Sequence, residues 1–154
     1  MTLENTLRQQ LNDPSTTGFH IAFGGWTVTL VADKRDSLSS ALKELTLSKS
    51  APIAEALPTW ANRVARQASG LMEPLRAVEV DQPLGKALLR SQAPMAQGGK
   101  ALYYELLLER TTRTSATLHR YAGDRQNSEP REAVPFVLTH DAIVKLVNDI
   151  VGDN

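Results

Sequence analysis

The chain has 154 residues, 42% of them hydrophobic and only 5% aromatic, with 17 basic residues balancing 17 acidic ones. This length points to one domain, and the neutral balance supplies no overall electrostatic pull towards nucleic acid or anionic lipid. The absence of cysteine excludes a disulfide framework, a thiolate metal site and a cysteine nucleophile, and it suits a reducing cytoplasm.

The first ten residues contain neither the basic nor the apolar segment of a signal peptide, and no apolar run approaches the roughly 20 residues of a membrane helix. A cytoplasmic protein is expected. Leu3, Leu7 and Leu11 recur every four positions behind a capping Thr2, which predicts a helix over residues 2–12 that Asp13-Pro14 ends. So short a helix is marginal alone. Residues 1–13 therefore read as an arm that docks on its own domain or on a second copy, and a homodimer is the expectation.

Gly24-Gly25 divides two alternating runs and predicts a β-hairpin, because both central residues of a type I′ turn need positive φ. Folding there sets Phe23 opposite Trp26, Ile21 opposite Val28 and Phe19 opposite Leu30, all six on the core face. Next, Leu38, Ala41, Leu42 and Leu45 fit a short amphipathic helix capped by Asp36 or Ser37. A second helical stretch begins near Pro52, and Pro58 either kinks it or opens a fresh helix. Trp60, Ala61, Val64, Ala65 and Ala68 form its apolar stripe, with Gly70 as the C-cap.

Beyond Gly70 the period becomes extended. Residues 75–81 alternate, with Val78 and Val80 on one face. Pro83-Leu84-Gly85 turns the chain, residues 86–91 return, and residues 95–99 form a looser turn. Residues 101–110 and 115–121 are predicted to pair, 123–131 form a polar loop, and 134–138 make a last short strand around Pro135. Thr139 caps a final helix with the stripe Ile143, Leu146, Val147 and Ile150. Consecutive strands exclude a doubly wound parallel sheet. The fold class is α+β: a mostly antiparallel sheet, made of the hairpin and about five further strands, with helices on one face and a helix at the C-terminal side.

No phosphate loop, nucleophile elbow, His-Glu-x-x-His or EF-hand pattern occurs. His20 and His119 lie on strands and, with a carboxylate such as Glu105, have the chemistry of a metal site. Their spacing requires none, so neither metal nor cofactor is expected. The polar residues with the chemistry to grip a ligand or partner are Arg90, Glu105, Arg110, Arg113, His119, Arg120 and Tyr121. An arginine there offers bidentate contact to a carboxylate, and Glu105 is the residue suited to a general base. Residues 110–131 hold five arginines against two acidic residues, with Tyr121 the one aromatic among them. That pattern fits an acidic protein partner better than nucleic acid.

Two functions follow. By size, cytosolic character and mixed α/β content the chain is similar, at the level of architecture, to small secretion chaperones; its neutral charge departs from the acidic balance usual among them. This likeness implies a non-catalytic binding or accessory protein that engages a protein partner or itself through a sheet face or terminal helix. The element order is also similar to the helix-grip ligand-binding fold and to small lyases with an antiparallel sheet. That likeness implies an Arg/Glu-lined small-molecule pocket. A dry, wide cavity with one arginine at its base would mark the second, and a filled core with an exposed apolar strip the first.

Overall fold

The structure, a computed structural model, describes residues 2–13, 15, 17–68, 70, 71, 73–124 and 130–154. Helix α1 (Leu3–Leu11) starts where the Thr2 hydroxyl accepts the Asn5 N–H at 3.1 Å. Leu7 and Leu11 are buried in the core. Pro14, which the sequence reading made the stop, lies outside the described residues. Strands β1 (Gly18–Phe23) and β2 (Trp26–Arg35) form the predicted hairpin in the predicted register. Gly24 and Gly25 take φ of 62° and 84° at its turn. Ile21, Trp26, Val28 and Leu30 are buried, while Phe19 and Phe23 at the rim are half-buried.

The predicted helix around Leu38–Leu45 is instead strand β3 (Ser39–Lys49), antiparallel to β2. The ladder slips between Ala32 and its neighbours, so Lys43 has no partner in the register. That bulge turns both Leu42 and Leu45 inward, three residues apart, and so imitates helical spacing. The unpaired Lys43 meets Asp33 at 3.1 Å on the outside. Asp36 does cap, but it caps a turn: its Oδ1 accepts the N–H groups of Leu38 at 2.8 Å and Ser39 at 2.9 Å. These bonds hold its carboxyl below the usual pKa range.

No helix begins at Pro52. Helix α2 (Leu57–Gln67) starts afresh with Pro58 in its first turn, where a missing N–H costs nothing. Trp60, Ala61, Val64 and Ala68 are buried as the stripe predicts. The C-cap is Ala68 rather than Gly70. Gly70 serves close approach, since a Cβ there would stand 2.9 Å from the Ala142 carbonyl oxygen.

Strands β4 (Leu75–Asp81) and β5 (Lys86–Ser91) pair across a bulge between Ala77 and Glu79. The predicted alternation of Val78 and Val80 fails there, because Val78 is the extra residue; both valines are exposed. The predicted loose turn is a second hairpin: β6 (Met95–Gln97) pairs with the start of β7 (Lys100–Arg110) around Gly98-Gly99. β7 and β8 (Thr114–Asp124) pair along their whole length. The predicted last strand is split at Pro135: β9 (Glu132–Val134) joins β8, and β10 (Phe136–Thr139) joins β3. Thr139 then caps α3 (His140–Val151).

The ten strands of the described residues form one antiparallel sheet with the path β1-β2-β3-β8-β7-β5-β4, off which β10 pairs with β3, β6 with β7 and β9 with β8. Val28, Leu30, Leu45, Leu47, Leu89, Leu106, Leu108 and Leu118 share one core cluster with buried residues of all three helices. The helices therefore lie on one face, and the architecture is α+β as the sequence predicts. Among the described residues no helix is long and apolar enough to cross a membrane.

One buried polar group makes this core sensitive to acid. His140 is buried at the start of α3, and its Nε2 has no hydrogen-bond partner among the described residues. Burial, reinforced by nearby Arg35, lowers its pKa from 6.5. The unfolded chain therefore binds a proton that the folded chain resists. Stability is full above 6.5 and falls as pH drops below it towards the folded value. Thermal melting is expected to weaken progressively through that window, and His140→Gln is expected to flatten the dependence.

Candidate functional site

Period two decides which side chains leave the core. On β7, Tyr104, Leu106 and Leu108 point to the helices, so Tyr103, Glu105 and Leu107 point away. On β8 the same parity sends Thr117, His119 and Tyr121 outward. Register then aligns them: Arg90 on β5 is opposite Glu105, and Glu105 is opposite His119. Glu44 on β3 extends the row, 2.9 Å from His119 Nε2. Arg90, Glu105, His119 and Glu44 thus form one line across four adjacent strands of the helix-free face.

Glu105 is the centre. Although it faces the open side, its side chain is only 8% exposed, because two arginines cover it. Arg90 Nε donates to Oε1 at 3.0 Å, and Arg90 Nη2 and Arg131 Nη1 donate to the same oxygen. Each guanidinium also rests on a ring. Arg90 lies 5.2 Å from the Tyr103 centroid and Arg131 lies 3.8 Å from that of Tyr121. The rings are 6.0 Å apart, set side by side by the pairing of Tyr103 with Tyr121. Burial works against the charge of Arg131, but hydrogen bonds to Glu105 and Tyr103 outweigh it and raise its pKa.

A cleft of about 360 Å³ opens among these groups, with Leu88, Leu107 and Thr117 as its less polar wall. With Glu44 outside the cleft beyond His119, its lining holds two arginines against one carboxylate, a local positive excess. Arg76, exposed on β4 and paired with Arg90 in the ladder, adds to it. Glu105 acts here as an anchor for guanidiniums. Such an arrangement can hold a carboxylate or another planar anion.

Four of the seven residues named from sequence meet in this site: Arg90, Glu105, His119 and Tyr121. The other three do not. Arg110 and Arg120 have the opposite parity and fall on the helix side. Arg110 donates through Nε and Nη2 to the Ile53 carbonyl at 3.1 and 2.8 Å, fixing the segment before α2. Arg120 pairs with Glu73 at 2.7 Å and stacks 4.3 Å from the Tyr104 centroid. Arg113 is exposed in the turn between β7 and β8. Arg125, from the same basic run, lies outside the described residues.

His20 sits on β1, with β2 and β3 between it and His119 on β8, and its Nδ1 lies 3.3 Å from Thr29 Oγ1. The two histidines do not share a site. Among the described residues no three His, Asp or Glu side chains converge as metal ligands. Arg131, Tyr103 and Glu44 were missed as site residues. The tyrosine pair was accessible from the β7–β8 register, whereas nothing in sequence ties Arg131 to Glu105. No known protein family, no curated protein and no solved structure matches the chain.

Proposed function

We propose that this chain is a small non-catalytic binding protein that holds an acidic segment of a protein partner on the open face of its sheet. The observation that carries the reading is the pair Arg90 and Arg131, both fixed on Glu105 and both stacked on tyrosine. Fixing a guanidinium in advance removes much of the entropy cost of binding, so its remaining N–H donors meet a carboxylate already oriented. Most of the helix side of the sheet is covered by the apolar core and its helices, whereas the polar face carries no helix and is open to a partner. The cytoplasm is where such a protein would act.

The test is fluorescence anisotropy with a labelled peptide of alternating glutamate and leucine. Micromolar binding is expected, and Arg90→Gln combined with Arg131→Gln should weaken it at least about tenfold, the loss of roughly one charge-assisted contact. Equal binding by the double variant would remove the reading. The cleft's volume also suits a small carboxylate ligand. Tight binding of citrate with no binding of the peptide would establish that second reading instead.

A further inference from the structure

Strand β4 ends the sheet. In the ladder order it has β5 on one side and no strand on the other, whereas β1, at the opposite end, has α1 packed against it. Among the described residues no backbone hydrogen bond from a loop or helix reaches residues 75–81 on that outer side. Unpaired N–H and C=O groups along a strand edge are a template for another strand. The side chains there are also apolar for a surface. Seven large apolar side chains are exposed among the described residues, and three belong to this strand and the turn after it: Val78 at 43%, Val80 at 37% and Leu84 at 62%.

The charges select the occupant. β4 carries its one basic residue, Arg76, near its start and its two acidic residues, Glu79 and Asp81, towards its end. Among the described residues none of the three is in an ion pair. Arg76 faces the like charge of Arg90 in the ladder, which an acidic group on its other side would offset. Asp81 accepts the Leu84 N–H through Oδ1 at 3.1 Å, which leaves Oδ2 for a second contact. An antiparallel copy of this strand brings the basic end of each against the acidic end of the other, whereas a parallel copy would set Arg76 against Arg76. Residues opposite one another in a ladder share a face. Pairing with β5 puts Arg76 and Asp81 on the open face, with Arg90 and Lys86, and Ala77 and Val80 on the core face, with Leu89 and Ala87. A two-fold axis between Val78 and Glu79 respects both assignments, since it sets Arg76 opposite Asp81 twice and Ala77 opposite Val80 twice. We propose that two copies of this chain associate edge to edge through β4 in this register, extending the sheet across the axis. The contact uses neither Arg90 nor Arg131, so it stands apart from the binding proposed for the open face.

The test is sedimentation equilibrium of the full chain. A monomer–dimer equilibrium with a dissociation constant on the order of 10–100 μM is expected, the range for a contact smaller than a standard interface. Arg76→Asp sets acid against acid and Asp81→Arg sets base against base, each twice by symmetry, so either variant alone should dimerise at least roughly tenfold more weakly. Mixed in equal amounts, the two variants should form a heterodimer of near-parental affinity, because every such pair is then Asp opposite Arg. Val78→Lys, a change at an exposed side chain, should weaken association without unfolding the chain. Amide hydrogen exchange should show residues 76–81 better protected at high protein concentration than at low. A monomer at concentrations up to about 500 μM would overturn the proposal and leave the edge to a strand of another protein. A dimer that all three variants leave unchanged, or whose protection falls on α1 or β1, would overturn it too, in favour of the N-terminal arm or the opposite edge.

Discussion

Trp60→Ala is expected to lower the unfolding free energy by about 3–5 kcal/mol, the usual cost of emptying a buried large aromatic site. Trp60 is wholly buried on the core face of α2. Its Nε1 also donates to the Ile150 carbonyl near the end of α3 at 2.9 Å, so it joins two helices that the sheet alone would leave side by side. Truncation therefore leaves both a cavity and a carbonyl with one donor fewer. Trp60→Phe keeps most of the volume and loses the donor, so its cost should be nearer about 1–2 kcal/mol. Urea unfolding of the two variants separates the terms. A loss under about 1 kcal/mol for the alanine variant would show that the site collapses, contrary to the packing described.

Arg63→Ala should cost about 2–4 kcal/mol, because it breaks a mostly buried ion pair by removing one partner. Arg63 is 15% exposed and Glu55 18%. One guanidinium serves four residues: Glu55, at 3.0 Å through Nε, Gln67 Oε1 at 3.2 Å, and the α3 carbonyls of Asp149 and Ile150. Those carbonyls lie in the last turn of the helix, where positive charge is favoured. Gly152, at φ 60°, leaves the necessary room, since a Cβ there would stand 2.8 Å from the Arg63 guanidinium. Lysine cannot replace this fork, so Arg63→Lys should recover little. Burial alone would raise the pKa of Glu55, but hydrogen bonds from Arg63 and Asn154 outweigh it and hold it below 4.5. The pair's contribution is thus present above 4.5 and lost as pH falls through the lower folded value. Acid unfolding in that window should be less steep in Arg63→Ala than in the parent chain.

What could be read from the sequence depended on how far local pattern and ladder register agree. Gly24-Gly25 was legible because β-branched and aromatic residues alternate on both sides of it. Gly98-Gly99 makes the same kind of turn, but Met-Ala-Gln and Lys-Ala-Leu carry no such alternation. Leu42 and Leu45 misled because a bulge shifts the phase of β3, and a bulge is a property of two strands together. For the site, the residue types were legible and their sides were not fully used. His119 and Tyr121 share a parity that Arg120 lacks, and the same rule separates Glu105 from Arg110. Arg131 comes to Glu105 only through the return of the chain along β9. No spacing announces that return.

The packing of α1 beside α3 bears on how the chain is made. Arg8 meets Asp141 at 2.7 Å across 133 positions of sequence, and Leu7 and Leu11 are buried in the core to which α3 contributes. A ribosome that adds about 5–20 residues per second needs on the order of ten seconds between the two helices. For that time the leucine stripe has no α3 to cover it and must stay in water or on a factor that shields nascent chains. The final step of this domain's folding therefore waits for α3, however early its hairpins form.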